Sequence, residues 1–455
     1  MPGAANPKPV TRLRSVPGLT SSIGRALFLA GIFLMVAGDW PRSTLLPTRW
    51  VMPLNVLGWP WLYLTLLAAS FVLLVSSGVL RVGRPTSADF LHAPIALLTA
   101  TFLLSVAFSQ APSLSEWAFG CFLAVVGFTM AVTRIVEDET CTAGISIAIA
   151  AAALFLAARV ILWRFDEGLT VPAVHIRNNA WLGRIQISWV LNLLAPFLLV
   201  RYLGERPPAA AVYGVTWILS GAAIYVVFSR AGVLVFPLTT LSLCLLNVRY
   251  WRRWVPLLAG IIVLAFGLIA GSTTMSSGLV DLLIHPDRDG SLLLRQGVLR
   301  QTARMIVDHP VIGIGLGTYD DIAHSQYGPI ADPSFFRGGW HAHNTFLHIL
   351  AETGTVGFLA WCYLWFTIVR VLLRRRRDGE RLGRLNSSAV LCLLVAGFVL
   401  SMSEAMTAAR LHASLRMNLT LALLVIYGIR LAAPARRGDV IPDDDPRCPK
   451  MGPPG

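Results

Sequence analysis

Charge is scarce in this sequence. Only 14% of its residues are charged, against roughly a quarter in an ordinary soluble domain, so about half the usual polar surface is missing. Acid is scarcer than base, with 24 Asp and Glu against 38 Lys and Arg and a net charge of +14. A basic excess is what the cytoplasmic loops of a membrane protein collect, so nucleic acid is not the expected partner. Cysteine is scarce as well. Cys121, Cys141, Cys244, Cys362 and Cys392 lie in or beside apolar runs and Cys448 lies in the tail, with no CxxC, which indicates neither a disulfide framework nor a zinc site. No repeat is apparent, and no second composition zone interrupts the chain.

What abounds is apolar sequence: 55% of residues are hydrophobic, and the mean hydropathy is +0.65. A run of about 20 apolar residues crosses a bilayer, and in lipid such a run must be a helix. Candidate spans are 23–38, 54–80, 91–108, 114–134, 141–162, 181–203, 209–229, 231–248, 254–271, 344–372, 386–406 and 411–431. The expected fold is therefore an all-α polytopic membrane protein of about twelve helices. Residues 1–22 form an N-terminal tail, 23–431 the membrane domain and 432–455 a C-terminal tail. Lys8, Arg12, Arg14 and Arg25 before the first apolar run resemble a secretory signal, but so many spans follow that an uncleaved first helix is expected.

Loop charges set the orientation, because cytoplasmic loops collect Lys and Arg. With the N-terminus inside, the inner loops hold Arg81 and Arg84, then Arg134, Arg201 and Arg206, then Arg249, Arg252 and Arg253. Arg374 to Arg377 follow with Arg381 and Arg384, and finally Arg430, Arg436 and Arg437. The alternation holds at each inner loop, so both termini are expected in the cytoplasm.

The arginines left outside are then the informative ones. The largest outer loop, 272–343, runs for roughly 70 residues, a length usually tied to function. It contains a helical pattern over 289–307, with Asp289 or Ser291 as N-cap and Pro310 closing it. Leu292, Val298, Leu299, Ala303, Met305 and Ile306 mark an apolar face with Arg295 at its centre, while Arg300 and Arg304 lie opposite. Arg295 either snorkels to water or an acid, or is a cation aimed into a cavity, the reading favoured here. Arg184, near the start of the sixth span, and Arg230, in Phe-Ser-Arg-Ala-Gly at the outer end of the seventh, are either interfacial anchors or lie on a ligand path. Arg159, Arg164 and Arg177 read as solvated.

Trp340-His341-Ala342-His343-Asn344-Thr345 opens the tenth span. His341 and His343 would share a face in a strand, but no convincing acidic third ligand accompanies them, so no metal site is expected. On a continuous helix His343, Leu347, Leu350, Gly354 and Gly357 form one stripe whose glycines would admit a neighbouring helix. His343 at its outer mouth is either a helix cap or a base that can accept a proton near neutral pH. Glu404, at the outer end of the eleventh span, is either a partner for these groups or an interfacial charge. Gly313-Ile-Gly315-Leu-Gly317 has the wrong spacing for a nucleotide site and reads as a turn.

These residues, taken together, resemble the O-antigen ligase family. The resemblance rests on His343-Asn344, nine residues, then Gly354-Thr-Val-Gly357. It is supported by Ser229-Arg230-Ala-Gly, Arg295, Asp308-His309-Pro310, Gly313-Ile-Gly315 and Tyr319, and covers roughly 180–370. It implies transfer of an undecaprenyl-diphosphate-linked glycan at the periplasmic face of the bacterial inner membrane, with no metal or other cofactor. The acceptor would be lipid A–core oligosaccharide for a ligase, or a second lipid-linked glycan for a polymerase. His343 matches the motif histidine, Arg230 the arginine of the Ser-Arg motif and Arg295 the loop arginine. Arg184 and then Glu404 match more weakly, and His341 and Asn344 stand beside the histidine as supporting groups. In chemical terms, guanidinium groups suit a diphosphate leaving group, and a histidine suits proton removal from a sugar hydroxyl. A single displacement would invert the anomeric centre. A transporter of an anionic solute or carrier lipid is the reading from another class. It would more typically show repeated halves and helices broken in mid-membrane, and neither is evident in the sequence.

Overall fold

The computed structural model describes residues 18–37, 62–79, 85–166, 183–227, 229–255, 257–259, 290–328, 341–402 and 412–433. Among these there is no strand. The helices, numbered in chain order, are α1 (Leu19–Ala37), α2 (Leu62–Ser76), α3 (His92–Ala107), α4 (Pro112–Ile135), α5 (Glu139–Asp166), α6 (Gly183–Gly204) and α7 (Ala209–Val227). They continue with α8 (Arg230–Leu246), α9 (Gly290–Asp308), α10 (Tyr319–Gln326), α11 (Thr345–Asp378), α12 (Arg381–Ser401) and α13 (His412–Leu431).

Eight of the described helices are long and apolar enough to cross a membrane, or nine if Ala231–Leu246 and Val248–Val255, bent by 99°, make one span. Leu62–Ser76 and Met417–Leu431 are shorter apolar helices. Each expected span has a described helix within it except 254–271, which falls almost wholly outside the described residues. Glu404, Trp340, most of both tails, and 272–289 and 329–340 of the long loop lie outside them too.

α6 runs through the middle of the bundle. Every residue from Ser188 to Val200 is buried, as expected of a helix that is apolar all round. It packs on α5, α7, α8 and α12, and α12 in turn touches α8, α11 and α13. α12 therefore links the helices that carry Arg184 and Arg230 to the one that His343 precedes.

The two ends of the bundle differ in chemistry. At one end Arg25 pairs with Asp138 at 2.7 Å, and Arg430 with Glu137 at 3.2 Å. Arg201 donates to the Tyr427 hydroxyl at 2.7 Å, Arg253 to the Leu203 carbonyl at 2.6 Å, and Arg381 to the Tyr250 hydroxyl at 2.6 Å. Arg375 reaches the carbonyls of Ile429 and Ser87. These are arginines that the charge alternation assigns to a single side, and they close one end of the bundle. The opposite end carries the starts of α6, α8 and α11, with α9 and α10 set against α11.

Candidate functional site

α11 begins with a cap. The Asn344 side chain accepts the Phe346 and Leu347 amides at 3.0 and 3.1 Å, satisfying donors that a helix start leaves without intrahelical partners. Asn344 thus shapes the backbone at the histidine. Just before it, His343 is the one non-glycine residue with positive φ among those described, at 48°. For a side chain other than glycine that conformation costs about 1–3 kcal/mol and persists where its surroundings impose it. The His341 and His343 rings pack against each other, their centroids 4.0 Å apart. Among the described residues no group of three His, Cys, Asp or Glu is placed to hold a metal ion.

α9 presents a narrower and more polar buried face than hydropathy predicts. Val298, Gln301, Thr302 and Met305 are buried, whereas Leu299 and Ala303 are exposed. Gln301 can be buried because its amide donates to the carbonyls of Ala323 and Gly328 at 2.8 and 3.1 Å. Arg295 is half-buried on the Val298–Thr302 side, while Arg300 and Arg304 are exposed, as the helical periodicity predicts. Val298, Met305, Ile314, Tyr319 and Ala342 share one small core. Arg295 and His343 therefore stand next to residues that touch a common core. The helix starts at Gly290, so Ser291 lies inside it and is not its cap.

The glycine stripe on α11 acts differently from the expected helix contact. About three turns in, α11 breaks at Gly354 (φ 61°, ψ −171°). What enters the break is the turn 310–315. The Thr355 amide donates to the Pro310 carbonyl at 2.9 Å and the Val356 amide to the Val311 carbonyl at 3.2 Å. In return the Ile314 amide donates to Ala351 O and the Gly315 amide to Glu352 O, both at 3.0 Å. A Cβ on Gly313 would stand 2.4 Å from the Glu352 carbonyl group, and one on Gly354 2.3 Å from that of Val311. The expected approach of a neighbouring helix is thus replaced by a backbone-to-backbone plug. It satisfies the groups freed by the break, so α11 does contain a broken helix, which the apolar run did not disclose.

Below the cap lies a buried polar group that the sequence reading missed. His348 and Glu352 are 1% and 2% exposed, with Nε2 and Oε1 3.4 Å apart. Glu352 Oε1 accepts the Tyr319 amide at 3.2 Å, and the Tyr319 ring packs on that of His348 with centroids 4.8 Å apart. The Tyr319 and Thr302 hydroxyls are 2.6 Å apart. Thr302 spends its one proton on the Val298 carbonyl, so the phenol is the donor of that pair. Burial, reinforced by Glu352, pushes the Tyr319 phenol up to about 12. Burial and then the bond to Asp308 do the same for Tyr327, also to about 12. The missed signal was His348 and Glu352 spaced i, i+4 within an apolar run; ionisable groups in a span mark function by default.

Arg184 and Arg230 lie in the first turns of α6 and α8, and the first turn of α8 meets the second and third turns of α6. Ser229 caps α8 by accepting the Gly232 amide at 3.3 Å. Gly232 lies so close to α6 that a Cβ there would be 1.9 Å from Ser188 Oγ, and Asn192 donates to its carbonyl at 3.3 Å. The two arginine positions thus flank one helix–helix contact.

Between α3, α4, α11 and α13 lies a cavity of about 200 Å³ with mainly apolar walls, including Phe102, Phe122, Trp361 and Trp365, and with Glu352 and Thr353 among its polar lining.

Two comparisons with known proteins bear on this arrangement. Residues 215–362 match the family model described as O-antigen ligase. That segment contains Arg230, Arg295, His343, Glu352 and Gly354. Over 310 residues the chain is 24% identical to the exopolysaccharide production protein ExoQ of Rhizobium meliloti (strain 1021), covering 65% of this chain and 69% of the relative. Both findings support the O-antigen ligase family.

Proposed function

We propose that this chain, taken as a member of the O-antigen ligase family, transfers a polyprenyl-diphosphate-linked glycan to a sugar hydroxyl at the His343 end of the bundle. The observation that carries this is that Ala342, next to His343, and Val298, one turn from Arg295, belong to one small core, away from the end closed by basic loops. The alternation of basic loops makes the His343 end periplasmic, and the donor is an undecaprenyl diphosphate in the inner membrane.

The chemistry follows from the groups present. The acceptor oxygen attacks the anomeric carbon, the bond from that carbon to the diphosphate oxygen breaks, and the configuration inverts. His343 takes the hydroxyl proton, help worth roughly 10²–10⁴-fold. The diphosphate departs with the electron pair, and Arg295, Arg230 and Arg184 meet its charge through paired, always-protonated donors. The apolar cavity between α3, α4, α11 and α13 suits the polyprenyl chain.

The first reading of the acceptor is lipid A–core oligosaccharide, which makes the protein a ligase of lipopolysaccharide biosynthesis. The exopolysaccharide-production relative favours a second, a polymerase that joins one lipid-linked glycan to another. A purified transfer assay with lipid-linked donor and either core lipid or a second donor separates them by product mass. Failure with both acceptors, in protein that still binds polyprenyl diphosphate, would overturn the transferase reading.

A further inference from the structure

Apart from His343 and the arginines, Glu352 is a buried charge at a junction of the fold. Three residues from two separate segments bond to this single residue. Its carboxylate accepts the Tyr319 amide, the first of α10, at 3.2 Å. Its carbonyl accepts the Gly315 amide at 3.0 Å and the Ser105 hydroxyl of α3 at 2.8 Å. A carboxylate 2% exposed is costly unless a cation or donors compensate it. Its near neighbour His348, 3.4 Å away, has no hydrogen bond on either ring nitrogen and is held by the ring of Tyr319. The pair is therefore more than a surface i, i+4 contact. From Tyr319 the chain of contacts runs through the Thr302 hydroxyl into α9, two turns from Arg295 on the same side of that helix.

We infer that Glu352, with His348 beside it, is a positioning residue for the transfer. It fixes α10, and through Tyr319 and Thr302 also α9, against the start of α11, so that Arg295 is held at a set distance from His343. It touches neither donor nor acceptor. This inference rests on the reading of Arg295 and His343 as the transfer site. A misplacement of about 1 Å can cost roughly 100-fold in rate, so loss of this junction should appear in turnover rather than in binding.

The test uses the purified full-length protein with Glu352→Ala, Glu352→Gln, His348→Leu and His343→Ala. Three quantities are measured: kcat and KM for lipid-linked donor per folded molecule, donor binding, and hydrogen–deuterium exchange over 319–326. For Glu352→Ala and His348→Leu the expected kcat falls about 10- to 100-fold with KM within about threefold. Exchange over 319–326 rises in Glu352→Ala. Glu352→Gln, whose amide oxygen still accepts the Tyr319 amide, restores protection and recovers most of the lost kcat. If Glu352→Ala merely lowers the yield of folded protein while each folded molecule turns over at the parental rate, the role is structural only and the inference fails. Unchanged exchange over 319–326 in Glu352→Ala also overturns it. A parental rate in His343→Ala overturns the site reading and the inference together. A parental rate in Glu352→Ala beside an inactive His343→Ala overturns the inference alone.

Discussion

Gly313 and Gly354 face each other across the break in α11, both with positive φ (80° and 61°), and a Cβ on Gly313 would lie 2.6 Å from the Gly354 nitrogen. Neither has room for a side chain, and the obstructing atoms are backbone that cannot turn aside.

Gly354→Ala and Gly313→Ala should therefore fail to fold normally. The left-handed conformation alone costs about 1–3 kcal/mol in a non-glycine residue, and the overlap adds to it. Gly120→Ala in α4, where nothing stands within 4 Å, should be neutral or stabilising by up to about 1 kcal/mol. Thermal unfolding in detergent and the monodisperse fraction on size exclusion check the contrast.

His343→Ala and Arg295→Ala should abolish transfer while insertion and expression stay at parental levels. Arg300→Ala should keep most of the activity, because Arg300 is exposed on the other side of α9. Greater sensitivity at Arg300 than at Arg295 would show that the working face of this helix has been misassigned.

Gly232→Ala should reduce transfer through distance. Its Cβ would stand 1.9 Å from Ser188 Oγ, so that buried hydroxyl must turn aside or α6 and α8 must part near their starts. Ser188→Gly removes the obstructing hydroxyl, so the double variant should recover activity. Additive losses in a double-mutant cycle would refute this coupling.

Tyr319 should titrate late. Its pKa, raised from 10.0 to about 12, means that the folded state prefers the phenol. The associated stability is fully present below pH 10 and is lost as pH rises through about 12. Tyr319→Phe should remove one late-ionising phenol from the absorbance titration at 295 nm and flatten that part of the stability profile. An unchanged titration would count against the burial of the Tyr319 phenol.

Asn344→Ala should destabilise the start of α11 by about 0.5–2 kcal/mol and lower transfer as His343 loses its fixed backbone. Asn344→Asp, still an acceptor for both amides, should lose less. Circular dichroism melts alongside the transfer assay distinguish the two.

Much of this molecule was legible in its sequence because membrane helices are written in composition. Apolar runs located the helices, and the spacing of arginines gathered Arg201, Arg253, Arg375, Arg381 and Arg430 at one end. Periodicity also separated Arg295 from Arg300. It erred on Leu299 and Ala303, because a mean over side chains does not register that Gln301 and Thr302 can be buried once they find carbonyls. The glycines of α11 misled for a related reason. Gly354 reads the same whether it admits a helix or breaks one, and only the turn that fills the break, some forty residues away in sequence, decides between them. His348 and Glu352 left no mark on hydropathy, because two polar residues barely lower the mean of a long apolar run.

The break in α11 also sets where this protein can be cut and joined. The helical stretch before Gly354 and the first residues after it both bond to the 310–319 segment, so this stretch goes with α9 and α10. A chimera made to exchange acceptor preference between relatives should take its splice after Gly357. A junction at Asn344, the obvious helix start, would split a bonded pair of segments between two parents.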